Sequence, residues 1–168
     1  DNDLPPIVTG SHLDTQPHGG KFDGVYGVLA GLEIIRSLND HDITTDAPIE
    51  VTVWTNEEGS RFAPCMVASG VFGGKFDLEE SLAIADVDGK TIGAELARIG
   101  YAGDTPCGDR PFGAFFEAHI EQGPILEADG KTIGLNATGH APDGATPNYY
   151  KNGIPDRGPN AQILPGFP

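Results

Sequence analysis

The sequence predicts an α/β fold, a sheet with helices packed against it, and three observations predict it. A short β-branched run, Ile7-Val8-Thr9, reads as a strand that passes into a polar loop. Ile49, Val51 and Val53 alternate with Glu50 and Thr52, with Trp54 following, and read as a second strand. Between them, Val25, Val28, Leu29, Leu32, Ile35 and Leu38 recur at the spacing of one helical face. Strand, helix and strand in that order make a βαβ unit.

Each further element has its own local signal. The first helix is expected over about residues 25–38, with Asp23 in the N-cap position and the permissive Gly24 after it. A short helix is expected around residues 65–72. Residues 92–99, with Leu96 between Ile92 and Ile99, read as a helix entered through Asp88-Gly89 and Thr91. Residues 115–120 read as a further strand. Ile125-Leu126, Asp129-Gly130 and Thr132-Ile133 carry the Asp-Gly signature of a tight hairpin. From Asn136 to Pro168 there are 5 glycines and 6 prolines in 33 residues, with almost no aliphatic periodicity. So little apolar surface cannot offset the entropy of ordering. The expected division is therefore a structured portion at 1–135 and an irregular tail at 136–168.

Composition narrows the function. With 10 Lys and Arg against 25 Asp and Glu, the formal charge of the 168-residue chain is −15. Nucleic acid and anionic membrane surfaces would repel such a chain, so neither is expected as a partner. No apolar run approaches the roughly 18–20 residues that span a bilayer. Cys65 and Cys107 form no CxxC pair, which fits a reducing cytoplasm. The opening DNDLPP resembles neither a signal peptide nor an initiator context, and reads as the middle of a longer protein.

The polar clusters fall in a pattern. His12 and Asp14 follow the first strand, Asp23 opens the helix, Glu57-Glu58 follow the second strand, and His119 stands near the end of the later one. Ligands in open α/β folds bind beyond the carboxyl ends of the strands. Histidine with carboxylates is the donor set of zinc and its transition-series neighbours. Asp23 has two oxygens and could bridge two ions, and Asp14 could hold the His12 ring from behind. A metal lowers the pKa of its bound water towards about 7, so one of the two glutamates could take that proton while the other binds. The residues alone do not say which glutamate does which. His18, His41 and His140 read as ordinary surface histidines, and each cluster taken singly could be only a cap or a solvated loop.

Four stretches, GSHLDTQPHGGKFDGVYGVLAGLE, VWTNEEGSRFAPCMVASGVF, IGYAGDTP and EAHIEQGPILEADGKTIG, resemble the hydantoinase/carbamoylase amidohydrolases. That family includes N-carbamoyl-L-amino-acid hydrolases, β-ureidopropionases and allantoate amidohydrolases, a branch of the aminopeptidase-like dinuclear zinc hydrolases. The resemblance spans about residues 7–134. It implies part of an aminopeptidase-like catalytic domain, a mixed sheet flanked by helices. It also implies that His12, Asp23, Glu58 and His119 ligate two divalent ions, zinc first and manganese, cobalt or nickel as alternatives. Glu57 becomes the general acid/base and Gln122 a substrate contact. The implied reaction hydrolyses the carbamoyl C–N bond of an N-carbamoyl amino acid or ureido acid, giving amino acid, carbon dioxide and ammonia. The DTQP wording leans towards the carbamoyl-amino-acid members.

Family members carry a further histidine ligand downstream and an inserted dimerisation domain, neither of which this sequence matches. The expectation is therefore an incomplete, inactive portion of an enzyme whose full-length form is a homodimer. The alternatives are a non-catalytic or degenerate metal-binding domain, or an allantoate amidohydrolase, metallopeptidase or aminoacylase of the same superfamily.

Overall fold

The computed structural model describes residues 3–108 and 110–134, together with the short strands at 136–137, 150–151 and 154–155. His140 and most of the expected irregular tail lie outside the described residues. The chain forms two units, Asp1–Phe116 and Glu117–Pro168.

The first unit is built on a three-stranded sheet in the order β2-β1-β3, from β1 (Ile7–Ser11), β2 (Ile49–Val53) and β3 (Ala114–Phe116). Both pairings are parallel, with Ile7 opposite Ile49 and Ala114, and Ser11 opposite Val53. Gly10 permits the close approach of β1 to β2, since a Cβ there would lie 2.0 Å from the Thr52 carbonyl oxygen. β3 is shorter than the strand expected over 115–120. It pairs with Ile7–Thr9 and ends at Phe116, where the first unit ends.

Helix α1 (Val25–Asp40) joins β1 to β2 as expected, but glycines make its innermost surface. Gly27 and Gly31 are the buried residues, whereas Leu29 and Leu32 are exposed. A Cβ on Gly31 would stand 3.0 Å from Thr9 Cγ2 and 3.2 Å from Val51 Cγ2, so the helix backbone rests directly on the sheet. The apolar spacing therefore identified the helix correctly and its inner stripe only in part. Asp23 is not its cap. The N-cap is Gly24, with φ 62 and no side-chain cap bond.

α2 (Val67–Phe72) is followed by α3 (Leu78–Leu82), which the apolar periodicity did not reveal. Its signal is a cap: the Asp77 carboxylate accepts the Glu80 N–H at 2.9 Å. α4 (Ile92–Ile99) begins with Thr91 accepting the Ala94 N–H. It ends at Gly100 (φ 76), with the Gly100 and Tyr101 N–H groups donating to Ala97 and Leu96 carbonyls. Phe62, Val67 and Ile92 form a buried cluster, against which Leu82, Ile84 and Leu96 pack. Trp54, Phe72, Phe112 and Phe115 form a second, aromatic contact set, with Phe72 and Phe112 stacked at 4.9 Å.

An ion-pair network ties α4 to the turn before it. Arg61 bonds Asp86 at 2.8 Å and Glu95 at 2.9 Å, and Arg98 grips Glu95 through two further bonds of 2.9 Å. The bonds from Arg98, then those from Arg61, hold the Glu95 carboxyl at about 2 instead of 4.5. The folded state thus favours the charged form. The resulting stabilisation is complete above the ordinary glutamate value and disappears as pH falls from there through about 2. A carboxyl-carbon NMR titration is expected to place the Glu95 midpoint well below 4.5, and Arg98→Ala is expected to raise it.

In the second unit, the stretch expected to be a hairpin is instead the helix α5 (Ile125–Ala128). The Glu121 carboxylate accepts the Leu126 N–H at 2.9 Å, at the end of the helix where negative charge is favoured. Asp129-Gly130 then acts as a helix stop. Gly130 has φ 62, and the Gly130 and Lys131 N–H groups donate to Glu127 and Leu126 carbonyls. Asp-Gly supplies a positive φ in either setting, and the neighbouring helix formers decide which one occurs. Three two-residue strands, β4 (Asn136–Ala137), β5 (Tyr150–Lys151) and β6 (Ile154–Pro155), pair antiparallel in chain order. Among the described residues, no helix is long and apolar enough to cross a membrane.

Candidate metal centre

Because β1 and β2 run parallel, their carboxyl ends emerge at the same edge of the sheet. Trp54 N–H donates to the Ser11 carbonyl, extending the ladder to the last residue before His12. The loop after β1 and the loop after β2 are thereby forced into contact, and the start of α1 joins them. His12 is 1% exposed, Asp23 3% and Glu57 7%. Burying two carboxylates beside an imidazole is costly unless charge or hydrogen bonds compensate.

His12 Nδ1 lies 2.8 Å from the Asp14 backbone oxygen. A carbonyl only accepts, so Nδ1 carries the proton and Nε2 presents its lone pair. Nε2 faces Glu57 Oε2 at 3.6 Å and Asp23 Oδ1 at 3.8 Å. These separations exceed hydrogen bonds. Donor atoms held about 2.0–2.2 Å from one tetrahedral ion stand roughly 3.3–3.6 Å apart, which the observed spacing approaches. One donor atom each from His12, Glu57 and Glu58 lie within 4.8 Å of one another.

Asp14 meets the His12 ring, as the sequence suggested, but through its backbone. Its carboxylate is 3.9 Å from His12 Nδ1, so the ring is held by the backbone oxygen instead. The carboxylate oxygens accept the N–H groups of Glu57, at 3.2 Å, and Glu58, at 3.0 Å. One residue therefore orients the histidine with its main chain and anchors the glutamate pair with its side chain.

Three contributors were not singled out as site residues by the sequence. Gly24 lies against the His12 ring, where a Cβ would come within 2.5 Å of Cε1, Nδ1 and the backbone oxygen. Asn56, buried just before Glu57, takes a left-handed conformation (φ 56), and its side chain donates to the carbonyls of Phe62 at 2.8 Å and Pro64 at 3.1 Å. Asparagine tolerates this conformation better than most residues, which is the one hint its type could have given. Gln16 reaches across the gap between the loops to Glu58.

The donor set fits a divalent cation. Glu58 Oε1 is buried and has no hydrogen-bond partner among the described residues, a state that an ion would relieve. His119 and Gln122 belong to the second unit. His119 is half-buried, and its Nδ1 donates to the Ile120 carbonyl at 2.8 Å, leaving Nε2 as the lone-pair nitrogen. Gln122 is exposed, with φ 55. Away from this edge, the Arg110–Glu50 ion pair ties β2 to the segment that leads into β3.

Comparison with known proteins adds an independent line. The profile described as Peptidase family M20/M25/M40 matches residues 8–160. An N-carbamoyl-L-amino-acid amidohydrolase of Rhizobium meliloti is 61% identical over 135 residues, covering 80% of this chain and 32% of the relative. A ureidoglycolate hydrolase of Arabidopsis thaliana is 37% identical over 159 residues, covering 89% of this chain and 33% of the relative. The crystal structure of a hydantoinase/carbamoylase-family amidase from Burkholderia vietnamiensis superposes with a TM-score of 0.77 at 70% identity. That match covers 81% of this chain and 33% of the other. The chain thus spans about a third of the length of the relatives it matches.

Proposed function

The chain belongs to peptidase family M20/M25/M40, and from that premise we propose that it is the metal-binding portion of an amidohydrolase acting on N-carbamoyl amino acids. The observation that carries this reading is the gathering of buried Asp23 and Glu57 and of half-buried Glu58 around the buried His12, at the carboxyl edge of a parallel sheet. In the proposal, His12, Asp23, Glu58 and His119 are the residues that would hold two divalent ions, zinc first. The ions, when bound, would polarise the carbamoyl oxygen and acidify water.

The protein residues supply the rest. Glu57 takes a proton from the attacking water and passes it to the departing nitrogen. Asp14 keeps Glu57 and Glu58 in fixed relation by holding both of their N–H groups. The His12 tautomer is set by the Asp14 carbonyl, so that Nε2 is basic on the side where the carboxylates converge. Gln122 is assigned to substrate contact. Water adds across the C–N bond, and the products are the amino acid, carbon dioxide and ammonia. Both cysteines are free and exposed, which accords with the reducing cytoplasm this reading assigns. The full-length protein is proposed to be a homodimer.

The decisive assay measures ammonia release from N-carbamoyl amino acids, with added zinc, manganese or cobalt, by this chain and by the full-length gene product. Release by the full-length product is the expected result. Cleavage of dipeptides with no ammonia release would reject the substrate assignment. A second reading, a ureidoglycolate-type substrate, is favoured by the likeness to the Arabidopsis ureidoglycolate hydrolase over 89% of this chain. Including ureidoglycolate in the same assay separates the two.

A further inference from the structure

We infer that Gln16 is a positioning residue that decides which oxygen of Glu58 meets the ion; the inference rests on the metal-dependent reading above. Gln16 Nε2 donates to Glu58 Oε2 at 2.7 Å and to the Glu58 backbone oxygen at 3.3 Å. A carboxylate only accepts, so the amide nitrogen must face Glu58 and the amide oxygen must face away. That oxygen accepts from the Ser60 hydroxyl at 3.1 Å, which latches the amide in this sense. Glu58 is therefore held through its N–H on Asp14, its carbonyl, and one carboxylate oxygen.

What remains is Glu58 Oε1, buried and without a hydrogen-bond partner among the described residues. A carboxylate can meet a cation with one oxygen or with both. With Oε2 committed to Gln16, Glu58 presents one oxygen, aimed by a side chain 42 residues away in sequence. Ser60 acts one step further out. Neither Gln16 nor Ser60 touches the reacting atoms; both act through Glu58.

The test titrates zinc, and separately manganese, into the full chain by calorimetry. Gln16→Ala is expected to weaken cation affinity about 10- to 100-fold, the range for residues that orient a ligand from behind. Because Gln16 is exposed, the melting midpoint of the metal-free chain is expected to stay unchanged. Ser60→Ala, which unlatches the amide without removing it, is expected to give a smaller loss. In a Glu58→Ala background, Gln16→Ala is expected to cost nothing further. Unchanged affinity in Gln16→Ala, or an equal loss in both backgrounds, would overturn the inference and leave the metal centre standing. A wild-type chain that takes up neither cation would overturn the metal centre and the inference together.

Discussion

Replacing Glu57 with glutamine is expected to lower turnover of the proposed substrate by the full-length protein about 100- to 10,000-fold while leaving cation affinity nearly unchanged. Glutamine keeps the shape and the backbone contact with Asp14 but cannot accept the water proton. The matching Glu58→Gln change is expected to act in the opposite sense, weakening cation binding first and turnover as a consequence. The geometry makes this a fair contest, because both N–H groups hang on the same Asp14 carboxylate and both side chains stand near His12. Single-turnover kinetics and calorimetry on the two variants decide it. If Glu57→Gln lost the cation and Glu58→Gln kept it, the two roles would have to be exchanged. If neither change reduced turnover, the acid/base assignment would fail.

Gly24→Ala is expected to destabilise the fold by about 2–5 kcal/mol and to impair cation binding as well. Two costs add. An alanine in the left-handed region costs about 1–2 kcal/mol, and Gly24 sits at φ 62. The new Cβ would also lie 2.5 Å from the His12 ring and backbone oxygen, and overpacking of that kind costs about 1–3 kcal/mol. His12 has nowhere to go, being 1% exposed and fixed at Nδ1. For a chain of this size the melting midpoint should fall by about 4–20 °C. Gly20→Ala, where a Cβ meets nothing within 4 Å, is the control and should melt like the wild type. A Gly24→Ala chain that melted like the control would show that the close approach over His12 is not needed.

Much of the candidate site was legible because its residue types are few and its motifs are distinctive. His12, Asp23, Glu57 and Glu58 could be singled out from their places at strand ends, and the motif resemblance divided the roles of the two glutamates. Their partners were less legible. Asp14 stood two residues from His12, so sequence proximity suggested a ring contact. That contact exists through the backbone oxygen, while the carboxylate serves a loop 43 and 44 residues away. Asp23 looked like a helix cap because acidic residues at that position usually are. The positive φ of Gly24 takes the helix start away from it and places its carboxylate beside His12.

The sequence by itself determined β1, α1, β2 and α4, because periodicity and capping are settled within a few residues of chain. It also narrowed the candidate donors, because only certain side chains can hold a divalent ion. The tertiary structure alone decided that Gln16 grips Glu58, that α1 meets the sheet through glycines, and that residues 125–128 coil instead of turning back. Each of these depends on groups far apart in sequence, or on competition between local preferences that a single motif cannot resolve. The parallel register of β1 and β2 supplies that missing information. It brings the two strand ends to one edge, and the contacts between their loops follow from where the backbone has already placed them.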